Sequence, residues 1–269
     1  MARKILIRKL YSTGTDYETG AGEVLVIQKI GTDATSKVTV NVEGAPVCET
    51  ISYLGDYYKD TDRFLDYRDL GNKFVVVPPQ RSFNFAIASG SARVAVVGYA
   101  LRLSPGEAMP SELASRYNNQ TKDYATFVNE SVSKAEGETI AANEEVTIFT
   151  KQADANETLT FDGLVEGYAE AGGAALADYN WALKFYVNDY PLDFSLTDAG
   201  PKGIVLTMCP RPPQTGVNLQ AFTLKDNPIV LNPGDTLKCV IVNISGSDYT
   251  VPTGGFTAYA TLEMKRVIK

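Results

Sequence analysis

The end of the first half of this chain returns, in pattern, at the end of the second. Residues Phe74 to Leu103 run through Val75-Val76-Val77, a Pro78-Pro79-Gln80 turn, an alternating stretch at Phe83 to Ile87, Ser89-Gly90-Ser91 and a closing apolar stretch. Residues Ile229 to Met264 repeat the order, with Asn232-Pro233-Gly234-Asp235 as the proline turn and Ser245-Gly246-Ser247 before the last stretch. Both read strand, proline turn, strand, Ser-Gly-Ser turn, strand. A β-unit used twice, about 155 residues apart, constrains the chain towards a duplicated sandwich rather than one enzyme domain.

The middle of each half supports the pairing less evenly. Lys37 to Val42 alternates and runs into Glu43-Gly44-Ala45-Pro46, as Trp181 to Val187 runs into Asn188-Asp189-Tyr190-Pro191. Ile204 to Met208 and Val217 to Leu224 have no crisp counterpart in the first half. Between the halves, Ser111 after Pro110 is placed to cap a short helix over Glu112 to Tyr117. Gln120 to Glu138 then reads as a polar connector, becoming strand at Tyr124 to Val128, with another strand at Glu145 to Phe149. The expected fold is all-β: two tandem antiparallel β-sandwich, jelly-roll-like domains with a short helical connector. The expected domains are residues 1–118 and 119–269.

Composition removes whole classes of function. The net charge of −7 opposes direct binding to duplex nucleic acid, which needs a basic surface. No stretch reaches the roughly 20 apolar residues that span a bilayer, and Met1 to Leu10 holds no apolar run of the secretory kind. Cys48, Cys209 and Cys239 are few and far apart, a poor disulfide or zinc framework; Cys239, in the run Leu237 to Val242, reads as a buried small hydrophobe. The chain contains no histidine. That removes imidazole acid–base work, His-activated nucleophiles and His-ligated metals. No catalytic, cofactor or metal site is therefore expected.

Several clusters still invite a role. Leu54 to Asp69 is dense in tyrosine and aspartate. Asp56, Asp60, Asp62, Asp66 and Asp69 offer oxygen ligands for calcium, but lack EF-hand spacing and are interleaved with Lys59, Arg63 and Arg68. Tyr57, Tyr58 and Tyr67 beside Arg63 and Arg68 have the composition of an interface hot spot, the preferred reading. Arg211, in the proline-rich loop Met208 to Gly216, joins them, and Arg3 and Arg8, with Lys4 and Lys9, make the first strand a candidate arm for an acidic neighbour. Trp181 and Tyr186 stand at opposite parity on one strand, so they face opposite sides; either the tryptophan is core, or one of them is an exposed platform for a sugar ring. Glu144-Glu145 and Asp189/Asp193 are carboxylate pairs with nothing to fix a glycosidase separation. The sequons at Asn119, Asn129, Asn156 and Asn243 read as coincidence.

The twice-used pattern, clearest in Leu231 to Ser247, resembles that of viral structural proteins built from tandem jelly rolls. The resemblance covers about a third of the chain and is mostly β-sandwich grammar. It implies a virion protein, made in the host cytoplasm, that self-assembles, with trimers favoured, and contacts other virion proteins. Two roles fit: a double-jelly-roll shell subunit, or a decoration or cement subunit. Shell subunits of that kind usually carry helices beside their sheets, and the single helix candidate here tilts the expectation towards the accessory role. The alternative from a different class is a carbohydrate-binding or adhesive β-sandwich module of a phage tail or cell surface.

Overall fold

The computed structural model describes residues 3–52, 68–194, 203–209 and 222–269. The chain divides into two units. Unit 1 is Met1–Phe127 with Lys265–Lys269, and unit 2 is Val128–Met264. The sequence placed the division at residue 118. It falls later because the connector belongs to unit 1, where Ala125 joins the core and Leu113 joins an outer apolar layer.

Unit 1 contains β1 (Arg3–Ser12), β2 (Asp16–Glu18), β3 (Glu23–Thr32), β4 (Val38–Val42), β5 (Ala45–Thr50), β6 (Arg68–Asp69), β7 (Val75–Val77), β8 (Ser82–Ile87) and β9 (Arg93–Arg102). One sheet runs β1-β9-β3, with β6 and β7 both on the far side of β3; the other runs β2-β8-β4-β5. Successive strands thus alternate between sheets except at the β4–β5 hairpin and the β6–β7 break, and the first strand lies beside the last. This is the order of an eight-position jelly roll, with β6 and β7 as one interrupted strand. β1 and β9 pair antiparallel from Arg3↔Arg102 to Ser12↔Arg93.

The helix α1 (Ser111–Asn119) follows, then β10 (Asp123–Lys134), β11 (Thr139–Ile140), β12 (Glu145–Gln152), β13 (Glu157–Phe161), β14 (Leu164–Ala171) and β15 (Ala174–Ala175). The chain continues through β16 (Trp181–Val187), β17 (Tyr190–Pro191), β18 (Ile204–Val205), β19 (Phe222–Thr223), β20 (Ile229–Leu231), β21 (Thr236–Asn243), β22 (Tyr249–Thr250) and β23 (Phe256–Ile268). In unit 2, β23 lies between β10 and the broken strand β13–β14, whose outer side carries β19 and β20; the second sheet runs β12-β21-β16-β17, with β18 also on β16. The strand order is that of unit 1. Both units are antiparallel β-sandwiches, as the sequence pattern requires.

The turns explain why the pattern was visible. Glu43-Gly44 and Asn188-Asp189 both have positive φ at two successive residues, 52°/79° and 50°/66°, the geometry that closes two-residue hairpins. Gln80 (56°) and Gly234 (87°) follow Pro79 and Pro233, as the left-handed position after proline in a type II turn. Three main-chain hydrogen bonds then recur at matching places. Thr19 N–H donates to Arg81 O (3.2 Å), Gln80 N–H to Thr19 O (3.2 Å) and Glu43 N–H to Ser82 O (3.0 Å). In unit 2, Ala153 N–H donates to Asp235 O (2.9 Å), Gly234 N–H to Ala153 O (2.9 Å) and Asn188 N–H to Thr236 O (3.0 Å).

Each unit closes on its own apolar core. In unit 1 it includes Ile27, Ile30, Val38, Val40, Val75, Phe85, Val94 and Val96. In unit 2 Leu159, Phe161, Leu183, Phe185, Leu237, Cys239, Ile241 and Phe256 interdigitate between the sheets. All three cysteines are free and buried. Val240 and Val242 are also buried, but they sit on the opposite face of β21 from the Leu237–Cys239–Ile241 core face.

The connector departs from its expected character. Ser111 does not cap α1: the cap is Pro110, whose carbonyl accepts from Ala114 N–H (3.0 Å). Arg116 and Gln120, polar residues in a polar-looking segment, are buried. The Gln120 amide donates to Val76 O and accepts from Val76 N–H, both at 2.9 Å, and so stands in for a neighbouring strand along β7. The Arg116 guanidinium donates to Phe74 O, Asp123 O and Lys73 O.

Gln120→Leu leaves both Val76 main-chain groups buried and unpaired. It is expected to lower stability by about 1–3 kcal/mol, read as a shift of the urea unfolding midpoint. Gly98 lies where a Cβ would stand 1.9 Å from Val26 O, beside the β3 bulge between Ile27 and Lys29. Gly98→Ala is expected to cost about 1–3 kcal/mol in the same assay, because backbone must shift to admit the methyl.

Candidate assembly surfaces

Most of the expected contact residues fall outside the described residues: Tyr57, Tyr58, Arg63, Tyr67 and Arg211, with Asp56, Asp60, Asp62 and Asp66. Arg68 is described, and it is not on a surface. It is buried, and its guanidinium donates to the carbonyls of Glu49 and Thr126. The sequence grouped it with the loop because its neighbours are polar; its side chain instead satisfies main-chain acceptors inside unit 1. Asp69 accepts from Gly71 N–H (2.9 Å) and faces Lys29 at 3.4 Å, which accounts for it as a turn residue.

Arg3 and Arg8 are exposed on β1, as are Lys4, Lys9 and Leu10. Alternation sorts the strand: Ile7 and Tyr11 pack on the core, while Lys4, Leu6, Arg8 and Leu10 share the outer face. Leu6 is 81% and Leu10 44% exposed. Lys4 Nζ sits 3.9 Å over the Tyr99 ring on the paired strand. Among the described residues β1 has one strand neighbour, β9, so its other edge carries open main-chain groups. Four cations and no acid between Arg3 and Ser12 protect that edge against pairing with itself.

A second surface is the loop end of unit 2 at which the β12–β13, β16–β17 and β20–β21 turns are tied together by the hydrogen bonds described above. Its turns carry Asp154, Asp189 and Asp235, together with Tyr190, which is 77% exposed. Asn188 Nδ2 donates to Asp235 (2.7 Å), and that bond, with one from Asn232 N–H, holds the Asp235 carboxyl below its ordinary range. Lys238 approaches Asp189 at 3.7 Å. The matching end of unit 1 is charge-neutral where it counts: Glu43 pairs with Arg81 at 2.7 Å and also accepts from the Tyr117 hydroxyl. The difference extends to whole units. Of 32 acidic and 25 basic residues, 18 and 7 lie in residues 128–264, giving −11 for unit 2 and +4 for unit 1.

The remaining candidates resolve into structure. Trp181 is 2% exposed and packs on Tyr249 and Phe256 at 5.4 and 5.0 Å, so it is core and no platform for a sugar. Tyr186, on the other face, donates to Glu145 (2.5 Å), which also accepts from Lys184 (3.1 Å). Burial alone would raise the Glu145 carboxyl, but those two bonds bring it below its ordinary range. Glu144 accepts from Ala141 N–H (2.8 Å), so the Glu144-Glu145 pair divides between a turn and a surface network. Asn243 is fully buried: its amide donates to Ile140 O, Ala141 O and Ser247 O and accepts from Ser245, closing the Ser-Gly-Ser turn. Among the described residues no three His, Cys, Asp or Glu cluster to hold a metal, and no helix is long and apolar enough to cross a membrane.

No family model and no curated protein matches the chain. Solved structures are similar at low identity. The STIV MCP is 9% identical at a TM-score of 0.40, over 100% of this chain and 97% of that one. The major capsid protein P2 from bacteriophage PM2 is 10% identical at 0.28, over 98% of each chain. A223, a turret protein in Sulfolobus turreted icosahedral virus, is 10% identical at 0.21, over 99% and 100%.

Burial, reinforced at Tyr186 by Glu145 and at Tyr11 by Glu23, pushes both phenols up to about 12. In the unfolded chain they titrate near their ordinary value of about 10. As pH rises from about 10 to 12 the unfolded state loses protons that the folded state keeps, so these phenols stabilise the fold below that window and the contribution fades through it. Melting temperature is expected to fall over this range, with a shallower slope in Tyr11→Phe, measured by circular dichroism.

Proposed function

We propose that this chain is a virion structural protein, a capsid shell or decoration subunit that self-assembles as trimers and touches neighbouring particle proteins. The observation that carries this reading is the duplication itself: two jelly rolls in one chain, with the same strand order and the same three turn-tying hydrogen bonds. Tandem jelly rolls of this size are the architecture of the viral proteins whose sequence pattern this chain resembles. The charged and aromatic side chains described above make turns, ion pairs and core rather than a converging reactive site, which suits a protein whose work is contact.

Cohesion in such a role comes from many identical contacts around an axis. Arg3 and Arg8 belong to this reading as surface cations, and Tyr57, Tyr58, Arg63, Tyr67 and Arg211 belong to it on their sequence alone. Size-exclusion chromatography with light scattering tests it. A trimer or larger particle that persists on dilution is expected; a strict monomer at high concentration would overturn the reading.

A further inference from the structure

The outer face of β1 is the one described surface that joins exposed large aliphatic side chains to a run of cations. Leu6 and Leu10 alternate with Lys4 and Arg8 on one face of the strand, and the next strand adds half-buried Val97 and Tyr99. Two exposed leucines within five residues on an edge strand cost solubility in a free subunit, so the face is built to be covered. A second β1 is the wrong cover, because antiparallel self-pairing sets cations against cations.

We infer that this face docks on the acidic loop end of unit 2, around Asp154, Asp189 and Tyr190, of a second copy of the chain. The argument is charge complementarity: +4 on unit 1, concentrated on β1, against −11 on unit 2. The contact joins two different surfaces, so it is heterologous, and repetition of it closes rings or extends arrays. The inference rests on the self-assembling role proposed above and names the surfaces that carry it.

Three proteins test it: wild type, Lys4→Glu/Arg8→Glu, and Asp154→Lys/Asp189→Asn. Sedimentation velocity from about 1 to 100 μM measures association, and circular dichroism checks that each variant folds. Each double variant is expected to weaken self-association about tenfold or more. An equimolar mixture of the two is expected to restore it, because the acidic β1 of one meets the loop end of the other, where one carboxylate has become a cation and one an amide. Leu6→Ser, which changes no charge, is expected to weaken association as well, and salt is expected to weaken the wild type. Wild-type-like association of the β1 variant and of Leu6→Ser overturns the inference, as does failure of the folded variants to rescue one another. Binding of wild type to vesicles of anionic phospholipid, lost in the β1 variant while self-association persists, also overturns it and assigns the face to a membrane. A wild type that never associates instead overturns the assembly role itself.

Discussion

The ten-residue antiparallel register between β1 and β9 is the constraint on which unit 1 depends. It brings together segments separated by most of the unit, and the strands between them are shared between two sheets, with one hairpin, β4–β5, inside a single sheet. Pairing this remote has a large loop-closure cost before it returns any stability. Pro79 and Gly44 suit their turn positions, but Glu43 and Gln80 hold a positive φ that favours glycine, so these turns add a small cost that the ladders must also cover. The same register leaves β1 with one bonded side and one open side, so the strand that completes the sheet is also its exposed border.

The two jelly rolls share a skeleton and differ in what they show to solvent. At matching turns, Glu43 with Arg81 becomes Asn188 with Asp235. Both pairs hold the turn, but the first cancels its charge and the second keeps a carboxylate. Repeated over a unit, substitutions of this kind separate charge without disturbing the ladders. A duplicated fold can thereby present two unlike faces from one chain, which a single jelly roll repeated by symmetry does only with greater difficulty.

Much of this was legible in the residues. Proline turns, Ser-Gly-Ser and alternation placed β7, β8 and β9 in unit 1 and β20, β21 and β23 in unit 2, because those signals act locally. Strand interruptions were not legible: β13 and β14 break at Asp162-Gly163, and β6 and β7 are separated although both lie on β3. Nor did local pattern reveal Arg68, Arg116 and Gln120, whose polarity reads as solvent exposure but whose groups saturate buried main chain. Arg3 and Arg8 are both exposed although alternation sends them to opposite faces of β1. The surface reading failed at Arg68 because the acceptors, Glu49 and Thr126, lie far away in sequence.

The chain crosses from unit 1 to unit 2 inside β10 and returns inside β23. Ile268 N–H donates to Lys122 O at 2.7 Å, and Arg266 donates to the Tyr124 hydroxyl. In sequence, unit 2 is therefore an insertion in unit 1, with both crossings made inside strands, rather than a module that follows it.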